Sequence, residues 1–208
     1  MTDANQPSSG LERARARIAE EMERKTGELN LSGLGLTELP EELFGKGWTE
    51  ERNLEHLREL HFGKREHSSV YQDPSYHCNE LERDAFPESA ESWAPLRNLR
   101  TLSISGVPPS HPLRMQKGKD GGPEALPPLP SGLKTLELPH CKRVVDLEAV
   151  ASLTGLEVLD LTGCAALWDL TALARLHELR SLNLQHCEAL RDLTALAKLS
   201  QLRSLDLQ

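Results

Sequence analysis

One phrase recurs at a step of 23 residues: Leu133-Lys-Thr-Leu136-Glu-Leu138-Pro-His-Cys141, Leu156-Glu-Val-Leu159-Asp-Leu161-Thr-Gly-Cys164, and Leu179-Arg-Ser-Leu182-Asn-Leu184-Gln-His-Cys187. A further copy begins at Leu202 and carries Leu205 and Leu207. A unit this short cannot hide its own leucines. It buries them by stacking on its neighbours, so the chain must build a solenoid rather than a globule with one centre. The alternation Leu-x-Leu gives each unit a short strand, and strands one repeat apart stack in parallel.

Upstream the same pattern is present but interrupted. Residues Leu29 to Leu43 form a leucine-rich unit with Leu39-Pro40 at its return. Leu57-Arg-Glu-Leu60-His-Phe62 starts on register and is followed by an insertion over about residues 64–95. That insertion carries Tyr71, Tyr76, Phe86 and Trp93, half of the eight aromatic residues, with His67, His77 and Cys78. The four aromatics either form a small core for their own loop or serve as anchors for a partner. A second insertion, about 108–131, follows Leu99-Arg-Thr-Leu102-Ser-Ile104 and holds seven prolines with Arg114, Lys117 and Lys119. Proline lacks an amide donor, which suits an extended excursion.

Residues 1–8 are polar and read as a disordered tail; 9–28 read as a capping helix and 29–208 as the repeats. Ser9-Gly-Leu-Glu12 has the spacing of a capping box. Leu11, Ala14, Ile18 and Met22 then recur at helical steps, and Gly27 is placed to stop the helix after Lys25. Such a stripe covers the leucines of the first unit, each worth roughly 1.5–3 kcal/mol of burial.

The columns sort into scaffold and surface. Cys141, Cys164 and Cys187 share one position and lie about 5 Å apart, one strand spacing. A column cannot converge four ligands on a metal, so these thiols read as small apolar core groups in a reducing compartment. Asp146, Asp169 and Asp192 precede the return turns and are placed to accept their free amides. Between the strand leucines, side chains point outward: Asn30, His61, Ser103, Glu137, Asp160, Asn183 and Asp206 form a central row, edged by His140, Thr162 and His186. Together with Tyr71, Tyr76 and Trp93 these are the candidate partner-binding residues.

The motif L-x-x-L-x-L-x-x-C-x-x-L-x-D-L resembles the leucine-rich-repeat family, with Cys where many members have Asn. The resemblance covers 29–208 apart from the two insertions. It implies an α/β repeat fold: a curved solenoid with a parallel concave sheet, short helical segments on the convex side and an N-terminal capping helix. The segment from Ala14 to Pro40 also resembles, more weakly, the start of bacterial multidomain leucine-rich proteins, including those of Roco type in which the repeats precede a GTPase. No phosphate loop is present: Gly45-Lys-Gly47 and Gly118-Lys-Asp-Gly-Gly122 lack its spacing and hydroxyl residue.

A net charge of -8 argues against nucleic acid or an anionic membrane as partner, and no apolar run approaches the ~20 residues of a membrane span. His67, His77 and Cys78 match no established metal spacing, and no nucleophile and base can be paired from spacing. The expectation is a non-enzymatic cytoplasmic module, without metal or cofactor, that binds a protein or senses a signal through the concave face and inserted loops. The alternative is a regulatory arm of a larger enzyme, a Roco-type GTPase or a bacterial defence effector. Ending on the strand Leu205-Asp-Leu207-Gln208 leaves a repeat unfinished, which points to a further C-terminal domain or a partner subunit over the open end.

Overall fold

In the computed structural model, residues 9–63, 86–87, 89–104, 126, 128–141, 144–145 and 147–208 are described. Asp146, Tyr71, Tyr76, His67, His77, Cys78, the basic residues of the second insertion and the tail 1–8 lie outside them.

Among the described residues, seven strands form one parallel sheet in chain order: β1 (Glu28–Asn30), β2 (Glu59–Gly63), β3 (Thr101–Ile104), β4 (Thr135–Glu137), β5 (Val158–Asp160), β6 (Ser181–Asn183) and β7 (Ser204–Asp206). The register is the one the repeat demands. Leu29, Leu60, Leu102, Leu136, Leu159, Leu182 and Leu205 pair in one continuous column across the sheet. The first six are essentially buried, whereas Leu205 on the last strand is 42% exposed. A second column, Leu31, Phe62, Ile104, Leu138, Leu161 and Leu184, is buried behind it. The ladder runs past the strand ends: Leu138, Leu161 and Leu184 donate their amides to the carbonyls of Asp160, Asn183 and Asp206.

Helix α1 (Gly10–Arg24) closes the β1 end. Its start is a complete capping box, with the Ser9 hydroxyl accepting from the Glu12 amide and the Glu12 carboxylate accepting from the Ser9 amide. Ala14, Ile18 and Met22 face the core. An edge strand leaves unpaired backbone groups, and here the helix supplies donors: Arg17 reaches the Asn30 carbonyl at 2.7 Å and Arg13 the Leu34 carbonyl at 3.1 Å. The approach is close enough that a Cβ on Gly10 would lie 2.2 Å from the Leu34 oxygen. The helix stops one residue earlier than Gly27 implied, because Lys25 itself takes the left-handed cap (φ 51°) and donates its amide to the Glu21 carbonyl. Glu21, inside the apolar stripe, is buried and binds this cap to the first repeat. Its carboxylate accepts from the Thr26 hydroxyl, the Gly27 amide and His56 Nε2 at 2.5–2.7 Å. Burial by itself would raise its pKa, but those hydrogen bonds outweigh it and hold the carboxyl below its ordinary range.

The cysteine column forms a ladder of its own. Each thiol is directed at a backbone carbonyl of the preceding repeat: Cys141 to Ile104 at 3.9 Å, Cys164 to Leu138 at 3.4 Å and Cys187 to Leu161 at 3.2 Å. All three are buried and free of disulfides. Burial pushes the Cys141 thiol up to about 12 and raises the other two, so they stay protonated as donors. On the convex side the return turns Thr171–Arg175 and Thr194–Lys198 begin as the sequence implied. Asp169 accepts the Thr171 amide and Asp192 the Thr194 amide, each at 2.8 Å.

The aromatic side chains of the first insertion that are described join the main core. Phe86 packs edge-on against Phe62, with ring centres 6.1 Å apart, and Trp93 against Phe44 at 5.4 Å. Trp93 is 2% exposed and its indole N–H donates to the Pro128 carbonyl, so one insertion is tied to the other. As a surface anchor for a partner Trp93 is therefore misassigned: its ring fills the space between repeats instead.

Candidate functional site

The register sets the outward row in a line, Asn30, His61, Ser103, Glu137, Asp160, Asn183 and Asp206, one residue per strand. It does not expose them all. His61 and Ser103 are buried, at 3% and 0% exposure. A bulge between His61 and Gly63 shifts the β2 to β3 register, and at that shift the Ser103 hydroxyl donates to the Gly63 carbonyl. Ser103 thus repairs the ladder and presents nothing to a partner, contrary to its place in the outward row. Thr162, also expected at the surface, is buried and holds Asp160: its amide and hydroxyl donate to Asp160 Oδ1 at 2.9 and 2.5 Å.

From β4 onward the row is half-exposed. Its Asn and Asp members share one local device: the side-chain oxygen accepts the amide two residues on, closing an Asx turn at the strand end. The pairs are Asp160 with Thr162, Asn183 with Gln185 and Asp206 with Gln208, and Asn30 with Ser32 does the same on β1. Gln185 Nε2 also donates to Asp206 Oδ2 at 2.9 Å, coupling adjacent repeats. These side chains are consequently fixed in direction. Glu137 makes no hydrogen bond of this kind among the described residues.

His140 and His186, expected at the edge of the row, are exposed and lie in the left-handed region (φ 63° and 57°). Gly163 occupies the same repeat position with φ 71°, and a Cβ there would sit 2.4 Å from His140 Nδ1. The imidazole of one repeat therefore lies over the glycine of the next. Before the strands, Glu157 bridges Lys134 and Arg180, each at 3.0 Å. The hydrogen bond from Lys134, followed by the charge of Arg180, holds its carboxyl below the ordinary range.

Trp168 was not singled out by its sequence position, yet it is 61% exposed on the convex side, the most exposed large apolar side chain described. It stands between two shallow clefts, one reaching Glu148 and Arg175 and the other Asp192 and Lys198. The available signal was its place: Val145 and Arg191 stand at the corresponding positions, where a return loop faces outward. No described helix is long and apolar enough to cross a membrane.

No protein-family model matches the sequence, and no curated protein matches it. Among solved structures, an internalin (inlF) from Listeria monocytogenes is 18% identical, with a TM-score of 0.48, over 98% of this chain and 59% of that one. An internalin C2 (inlC2) from the same species is 17% identical, with a TM-score of 0.42, over 97% and 94%. The leucine-rich repeat domain of the type III effector XopL is 18% identical, with a TM-score of 0.34, over 99% and 86%. The chain thus spans about three-fifths of the first of these structures, and likeness at this level carries no statement about activity or partner. What places the fold is the chain's own geometry: a 23-residue leucine phrase, seven parallel strands in sequential order among the described residues and a thiol ladder between them make a leucine-rich-repeat solenoid.

Proposed function

We propose that the chain is a protein-binding module whose partner lies along the C-terminal half of the concave face, over Glu137, Asp160, Asn183 and Asp206. The observation that carries this reading is the set of Asx turns there. They hold polar side chains in a half-exposed row at strand spacing, so a partner segment meets a surface whose ordering entropy has already been spent. Three of the four are acidic, which favours a basic or polar segment running across the strands. His140 and His186 border the row and extend it, while Tyr71 and Tyr76 of the first insertion supply a second point of contact. The buried, disulfide-free cysteine ladder suits action in a reducing, cytoplasmic compartment.

A test follows from the charges. Once a partner is isolated, the variant Glu137→Gln, Asp160→Asn, Asp206→Asn removes three charges yet keeps the acceptor oxygens that close the turns. Its affinity is expected to fall and to lose most of its salt dependence, with an unchanged thermal midpoint. Unaltered affinity and salt dependence would refute the concave acidic row as the site.

A further inference from the structure

We propose that Glu28, Glu59 and His61 form a binding site for a divalent transition-metal cation, zinc foremost, on the N-terminal half of the concave sheet. The register of β1 and β2 sets Glu28 directly opposite Glu59, and His61 lies two residues along β2, on the same face as Glu59. Like charges directly opposed across a ladder are unfavourable unless something positive sits between them. The imidazole points into that place. Its Nε2 is 3.5 Å from Glu59 Oε2 and 3.8 Å from Glu28 Oε1, and the three ligand atoms lie within 4.8 Å of one another.

His61 is the independent sign that something binds. It is 3% exposed, and among the described residues neither ring nitrogen has a hydrogen-bond partner. Buried polar atoms are nearly always paired, so an orphaned imidazole aimed at two carboxylates calls for a ligand. The distances are too long for hydrogen bonds and close to the edge of a coordination tetrahedron, since donors ~2.0–2.1 Å from zinc stand roughly 3.3–3.4 Å apart. Both glutamates are about half exposed, at 47% and 49%, so their carboxylates have room to swing toward each other and close the longest of the three separations. An imidazole nitrogen with two carboxylates suits zinc, whereas calcium takes oxygen ligands alone. Three protein ligands leave a fourth position for water or for a donor from a bound partner.

Calorimetric titration of the metal-free full chain with Zn2+ tests the site. One equivalent is expected to bind and to raise the melting temperature by mass action. Removing a ligand, in His61→Gln or in the double variant Glu28→Gln, Glu59→Gln, should weaken binding by at least the roughly 10–100-fold that loss of a mere supporting group costs. The glutamate pair lies on the surface, so that variant decides the matter even if His61→Gln fails to fold. The variant His77→Ala, Cys78→Ala is expected to bind zinc like the parent. No stoichiometric zinc, meaning that the imidazole only pairs with the carboxylates, would overturn the proposal. So would zinc that survives the glutamate double variant but is lost with His77 and Cys78.

Discussion

The sheet has two halves that share a register and differ in how they keep it. In the repeats of β5 and β6 the same groups solve the same problems: an Asx turn ends the strand, a left-handed residue follows, a thiol reaches back to the previous repeat, and an aspartate opens the return turn. From β1 to β3 the solutions are individual. Ser103 completes a bulged ladder, Phe86 and Trp93 fill spaces between repeats, Arg13 and Arg17 serve the edge, and Glu21 fastens the cap. Repetition leaves the outward row half-exposed and uniform, whereas interruption buries part of it. The regular half therefore presents the more uniform polar row, and the interrupted half gathers buried polar groups with specific tasks.

Trp93 and Trp168 give the largest expected contrast. Removing the buried ring in Trp93→Ala should cost about 3–5 kcal/mol in urea unfolding, while Trp168→Ala on the convex surface should stay within ~0.5 kcal/mol. Comparable losses would mean that the two regions are packed alike. A smaller effect separates the left-handed positions of the regular half. Gly163→Ala adds a methyl group against the His140 ring at a positive φ and should destabilise by roughly 1–2 kcal/mol, whereas His186→Gly relieves the same backbone strain and should be neutral or stabilising by up to about 1 kcal/mol. Thermal melts of the two single variants measure the difference, and equal losses would deny that this column is strained.

Much of this was legible in the leucines. Their period set the number and order of the strands, and the shared position of Cys141, Cys164 and Cys187 marked a structural column before any contact was known. Asp169 and Asp192 open their turns as a carboxylate before a helical turn should. What the pattern could not reveal lies where tertiary packing overrides alternation. His61 and Ser103 stand at outward positions and are nevertheless buried, because burial in an interrupted repeat depends on neighbours that no period encodes. Glu21 looks like one more surface glutamate until His56, thirty-five residues on, is beside it. The alternation marks the outward row as polar surface, yet Asn30, Asp160, Asn183 and Asp206 also shape their own strand ends. A glycine at 163, aligned with His140 and His186, marks a column where the backbone turns left-handed.

The central claim is that a protein partner lies on the concave face of the regular half. Photo-crosslinking from single positions tests it most directly, with a photoreactive residue placed at Glu137 on the concave row or at Arg175 on the convex return, each in the full chain with its partner. Adducts formed from position 137 and absent from 175 are the predicted result. Adducts from 175 with none from 137 would contradict it and move the contact to the side where Trp168 stands.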